Sequence, residues 1–201
     1  MTHKRIRIWL TLFCSVVFFT ACEETTEVGE FDNWRTRNNE YIDSIASVAE
    51  KNADGNWLIL KSYLLPADDE SDLTVQKDVN NYVYCHIEER GNGTISPIYT
   101  DSTRTHYRVW YMNGTLLDQS FKGNFNPDRA VPFKSSVSGM IVGWTTALQH
   151  MHVGDIWTVY IPYTLGYGKT TSNGVPGYSA LKYWINLVGV YPTGTAVPEW
   201  Q

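Results

Sequence analysis

Apolar and polar positions along this chain fall into three textures. Residues 8–19 are mostly apolar and follow Lys4, Arg5 and Arg7. That run is too short to span about 30 Å of hydrocarbon and suits the apolar core of a secretory signal. Next, Phe31, Trp34, Tyr41, Ile42, Ile45, Val48 and Ala49 recur mostly at three- and four-residue spacings. This period predicts an amphipathic helix over 33–51, with Asp32 as its N-cap and Asn52-Ala53-Asp54-Gly55-Asn56 as its stop. Residues 57–65 read as a strand ahead of Pro66.

From Tyr82 onward the texture becomes short apolar runs and turns. Residues 82–88, 105–112, 116–121, 157–162 and 181–190 are rich in Val, Ile, Tyr and Trp and predict strands. Asn113-Gly114 marks a tight turn between two of them. Residues 143–151 form the one helical stretch in this half, and Val153-Gly154-Asp155 leads from it into the next strand. The expected fold class is α+β: an antiparallel β-sheet wrapped around one short helix, preceded by an N-terminal amphipathic helix.

Composition narrows the class. Of 201 residues, 43% are hydrophobic and only 18% charged, which excludes a disordered chain. The net charge of −5 offers no basic surface to nucleic-acid phosphate, so no nucleic-acid partner is expected. Three cysteines are too few for a disulfide framework in a chain this long.

The leader carries a further signal. Phe19-Thr20-Ala21-Cys22 resembles a bacterial lipobox, with Phe19 where Leu is preferred. The resemblance implies cleavage before Cys22, lipid on Cys22, and attachment to the bacterial envelope, with the outer membrane the expected place. Glu23, Glu24, Glu27, Glu30 and Asp32 follow with no basic residue before Arg35, so an extended acidic tether is expected. The expected organisation is a lipoprotein signal at 1–21, tether and helix at 22–56, a lead-in strand and acidic loop at 57–81, a main domain at 82–192 and a tail at 193–201.

Several blocks now line up in order. They are His106-Tyr107, Asn113 to Ser120, Pro132-Phe133, Gly139-Met140-Ile141-Val142-Gly143-Trp144, Met151-His152-Val153-Gly154-Asp155, Ile161-Pro162-Tyr163 through Tyr167-Gly168, and Val175-Pro176-Gly177-Tyr178. This series resembles FKBP-type peptidyl-prolyl cis-trans isomerases over about residues 82–192. The resemblance implies the FKBP-like fold and isomerisation of X–Pro bonds in exported or unfolded proteins. Proline-containing peptides are the implied partners, macrolides the implied inhibitors, and no cofactor or metal is implied.

Residue by residue, the resemblance makes Trp144 the pocket floor and Tyr107, Phe133, Met140, Ile141, Tyr167 and Tyr183 its walls, with Val175 closing one side. It also implies that the Tyr167 hydroxyl and the Ile141 N–H orient peptide carbonyls, and that Asp118 stands beside the twisting amide. Read without it, each of these rings is as well explained by core packing. Leu117 stands where the family usually has Phe, Val109 where Gly is common, and the loop 169–174 lacks a frequent His. Leu117 implies a wider pocket. The departures leave open a catalytically weak or inactive surface module that binds peptides or glycans.

Other chemistry is thin. Asp68, Asp69, Glu70 and Asp72 lack the Gly and terminal Glu of a calcium loop and read as solvated. His150 and His152 are expected at a helix-to-strand corner rather than on a metal, and Cys85 as a small buried hydrophobe.

Overall fold

The computed structural model describes residues 29–66 and 77–200. The expected leader, Cys22 with the first part of its acidic tether, and the acidic loop at 68–72 lie outside the described residues. The chain divides into two units, residues 1–32 and 33–201. In the first, the described residues form a turn in which the Asp32 N–H donates to the Gly29 carbonyl at 3.0 Å.

Helix α1 spans Trp34–Lys51, and Asn33, not Asp32, holds its N-cap position, in a left-handed conformation with φ 51°. The Asp32 carboxylate accepts instead from the Gly29 N–H at 2.8 Å. The helix buries Trp34, Asn38, Ile42, Ala46 and Ala49, a stripe repeating every three or four residues. Phe31 and Val48, expected on that stripe, are about half exposed. Asn38 and Ala46 take their places, because the buried line follows the i, i+4 row down from Trp34.

The sheet is antiparallel throughout. Its strands are β1 (Trp57–Lys61), β2 (Tyr82–Glu89), β3 (Ser102–Tyr111), β4 (Leu116–Gln119), β5 (Phe133–Ser136), β6 (Ile156–Ile161) and β7 (Leu181–Tyr191). They lie in the order β1-β2-β6-β7-β3-β4, with β5 pairing on β3. β1 ends four residues before the expected limit because Lys61 pairs with Tyr82, where β2 begins. Past that point no ladder partner remains, and the Ser62 N–H turns to the Asn81 carbonyl at 2.9 Å.

β2 reads as a continuous buried run, Tyr82 to Cys85, because both faces are covered. Tyr82 and Tyr84 pack with Ile42, Ala46 and Ala49 of α1. Val83, Cys85 and Ile87 point the other way, into the core with Trp144, Leu148 and Met151. Those last residues belong to helix α2 (Val142–Leu148) and the turn after it, shorter than the expected 143–151. The end is a tight turn, with the His150 and Met151 N–H groups bonded to the Ala147 and Leu148 carbonyls. α2 lies close on β6: a Cβ at Gly143 would stand 2.4 Å from Ile161 Cγ2.

Two features escaped the sequence pattern. β5, Phe133-Lys134-Ser135-Ser136, is too short and polar to signal a strand. On the far side of the sheet, Phe125 packs on His106 at 4.9 Å and on Trp184 at 5.1 Å, so an irregular loop near residue 125 covers that face.

Candidate active site

Strand register brings the candidate residues to one face. Val109 on β3 pairs with Asp118 on β4 and with Tyr183 on β7. Directly opposed residues share a face, and Tyr107 lies two residues away on that same face. β5 attaches at the other side of Tyr107, with Phe133 opposite Thr105. The 3-10 turn Val137–Gly139 and Met140 then carry the chain into α2.

A cavity of about 440 Å³ lies between these elements. Trp144, fully buried, backs it from beneath. The indole meets Tyr107 edge-on at 5.6 Å and 88°, and Tyr183 at 5.0 Å and 76°. Phe133 meets Tyr107 at 5.5 Å and 75°. Edge-to-face rings of this kind fix one another's planes and add attraction beyond burial. Among the described residues the Trp144 Nε1–H has no partner, which leaves an orphaned donor at the base of the site.

Polar groups are few and placed at the rim. The Tyr107 hydroxyl donates to Asp118 Oδ2 at 2.6 Å. Asp118 is exposed, and its Oδ1 accepts from the Gln119 N–H at 2.8 Å. The Tyr107 backbone is fixed too, its N–H donating to Ser120 Oγ at 2.9 Å and its carbonyl accepting from the Ser120 N–H at 3.0 Å. Burial first, and then the Asp118 hydrogen bond, push the Tyr107 hydroxyl far above its ordinary titration range, so it remains a donor. Burial likewise raises Tyr183 well above the usual value, with Tyr167 and Tyr107 adding to the effect.

Nine of the ten candidate pocket residues line this one cavity: Asp118, Trp144 and Tyr167, then Tyr107, Leu117 and Phe133, then Met140, Val175 and Tyr183. Ile141 does not line it. It stands at the N-cap of α2, where its N–H donates to no group among the described residues. Two lining residues were not expected, Val109 and Asn173. Asn173 (φ 51°) and Gly174 (φ 78°) form a two-residue hairpin turn closed by Ser172 and Val175, whose N–H groups bond to each other's carbonyls at 3.0 and 2.9 Å. The Asn-Gly pair is a signal the sequence carried, and it swings Asn173 and Val175 over the cavity. This flap is pinned at its base by the Tyr178 N–H on the Gly168 carbonyl at 2.9 Å.

The other groups stand apart. His150 Nδ1 lies 2.9 Å from the Thr146 carbonyl, and His152 is 3.9 Å from Asp155 Oδ2. No group of three or more His, Cys, Asp or Glu among the described residues is placed to hold a metal ion. Cys85 is fully buried, and burial pushes its thiol well above the ordinary range.

The fold is similar to that of a solved peptidyl-prolyl cis-trans isomerase of Pseudomonas syringae pv. tomato, which aligns with a TM-score of 0.52 at 18% identity over 77% of this chain and 96% of that one. The crystal structure of FkpA from Escherichia coli aligns with a TM-score of 0.53 at 22% identity, over 80% of this chain and 63% of that one. Residues 93–188 match the model of FKBP-type peptidyl-prolyl cis-trans isomerases. The macrophage infectivity potentiator of Trypanosoma cruzi is 36% identical over 106 residues, 52% of this chain and 51% of that protein. The peptidyl-prolyl cis-trans isomerase Mip of Coxiella burnetii is 33% identical over 115 residues, 57% of this chain and 47% of that one. The chain thus spans about half the length of the curated relatives it matches.

Proposed function

We propose that the chain isomerises X–Pro bonds at this cavity, acting on exported or unfolded proteins at the bacterial envelope, where lipid on Cys22 holds it. The reading rests most on one arrangement: Trp144 backing the cavity, Tyr107 and Tyr183 standing edge-on over it, and Asp118 holding the Tyr107 hydroxyl at 2.6 Å.

The chemistry asks for little more. Rotation about a peptide bond costs about 18–20 kcal/mol because amide resonance is lost, and nothing else is made or broken. In the twisted amide the carbonyl is less polar and the nitrogen lone pair is localised. A water-poor aromatic pocket therefore favours the twisted state over the planar, charge-separated one. Proline seats against the Tyr107, Tyr183 and Trp144 rings. The Ile141 N–H and the Tyr167 hydroxyl are the donors at hand for the flanking carbonyls, and Asp118 keeps the Tyr107 ring in place.

The test is an isomerisation assay on a short X–Pro peptide, run with and without a macrolide that fills such pockets. Turnover that the macrolide abolishes, and that Trp144→Leu weakens while keeping a cooperative melt, is the expected result. Peptide binding without turnover would instead support a binding module, the reading favoured by Leu117, a half-buried aliphatic wall in this cavity.

A further inference from the structure

Helix α1 lies outside residues 93–188, yet its first turns hold the flap. The Trp34 Nε1–H donates to Ser179 Oγ at 2.9 Å, and the Ser179 hydroxyl donates on to the Pro176 carbonyl at 2.7 Å. One turn later Asn38, only 1% exposed, accepts the Ala180 N–H on its Oδ1 at 2.7 Å. Its Nδ2 donates back to the Trp34 carbonyl at 2.7 Å, which fixes the amide's orientation. Between these two residues, the Arg35 guanidinium sits 4.7 Å from the centre of the Tyr178 ring.

The strap these groups grip, residues 176–180, is under backbone strain. Tyr178 adopts φ 63°, the left-handed region that a bulky side chain rarely occupies. Such a conformation persists where its surroundings hold it. Here they do so from both sides, Arg35 over the ring and Tyr163 packed on it at 5.0 Å, with the Tyr178 N–H on Gly168. The strap lies between two cavity walls. Val175 precedes it and Tyr183 follows it by three residues, and both line the cavity.

We propose that Trp34, Arg35 and Asn38 are positioning residues of the proline pocket. They lock the strap 176–180 so that Val175 and Tyr183 stand where a prolyl peptide seats. The inference rests on the isomerase reading and extends its working unit back to residue 34. A wall touches the planar and the twisted peptide alike, so loosening it weakens both states equally. That appears as a raised KM at unchanged kcat.

The test uses the full chain. Trp34→Phe keeps a ring against Tyr111, which the indole meets edge-on at 5.6 Å, and removes the N–H donor together with part of the indole's buried volume, the loss of packing that the Ile42→Val control is there to gauge. Arg35→Gln removes an exposed cation without touching the core. Ile42→Val, on the same buried stripe and in one cluster with Tyr82, Tyr84 and Ala180, keeps every polar contact to the strap and is the control for general loosening of α1. We expect Trp34→Phe to raise KM about five- to tenfold with kcat within about twofold, Arg35→Gln to act in the same direction, and Ile42→Val to change neither by more than about twofold. Adding Trp34→Phe to Ser179→Ala should bring little further loss, since removing the Ser179 hydroxyl already cuts both bonds of the chain. A KM unchanged in Trp34→Phe, or raised equally in Ile42→Val, would overturn the proposal. No turnover in the wild type would count against the isomerase reading instead. The positioning role is then decided by amide hydrogen exchange at Val175, Tyr178 and Ala180. Faster exchange in Trp34→Phe but not in Ile42→Val supports it, and equal exchange overturns it.

Discussion

Asp118 shows how much a single placement changes the argument. The resemblance implies a carboxylate beside the twisting amide; the structure puts Asp118 at the exposed rim, bonded to the hydroxyl of a half-buried ring. A charge in that position is screened by water, so its field on the amide is weak. Its stronger effect is to fix Tyr107. Asp118→Ala is therefore expected to lower kcat/KM about tenfold, equivalent to about 1.4 kcal/mol. Asp118→Asn, which keeps an acceptor for the hydroxyl, should lose clearly less. Equal losses in the two variants, measured against unchanged melting temperatures, would return the role to the charge.

At the same scale, His106 is neutral in the fold because burial lowers its pKa, and its Nδ1 has no partner among the described residues. The unfolded chain takes up a proton near pH 6.5 that the folded chain refuses. Stability from this residue is thus present above that pH and is lost as pH falls through it. In denaturant titrations from about pH 8 to about pH 5, wild type should lose stability relative to His106→Phe, whose ring suits the Phe121 and Phe125 cluster. Parallel profiles would contradict this.

Among elements, α2 and the flap explain what could be read in advance and what could not. The block Gly143-Trp144 was legible through the family resemblance, and the structure gives it a local reason: a small residue lets the helix approach β6, and the next side chain drops into the core. Gly143→Ala should cost about 1–3 kcal/mol in denaturant unfolding, since Ile161 is fully buried and branched at the contact and has little room to give. A loss below about 0.5 kcal/mol would mean that the helix shifts freely. The strands of the sheet were legible to within a few residues, because apolar alternation survives wherever one face is covered. β5 was not, because its place depends on β3 and not on its own residues. Ile141 was expected on the wall because the family resemblance puts it there. The extended turn into α2 places its N–H, not its side chain, as the group of interest. Asn38 was overlooked for the opposite reason: a polar side chain in a buried stripe makes sense only once the Ala180 N–H is seen opposite it.

For the whole molecule, the proposed anchor is lipid on Cys22. Cys22→Ser should release the protein from membranes in fractionation, because stable attachment requires more than one acyl chain at that residue. Equal membrane recovery of both forms would remove the anchor from the account. The central claim concerns the pocket, and exchange NMR on an X–Pro peptide with a catalytic amount of the chain tests it most directly. The expected result is cis–trans exchange cross-peaks that the peptide alone does not give, weakened by Asp118→Ala and lost when a macrolide fills the cavity. Peptide resonances that shift or broaden on binding while cis and trans fail to exchange would contradict it.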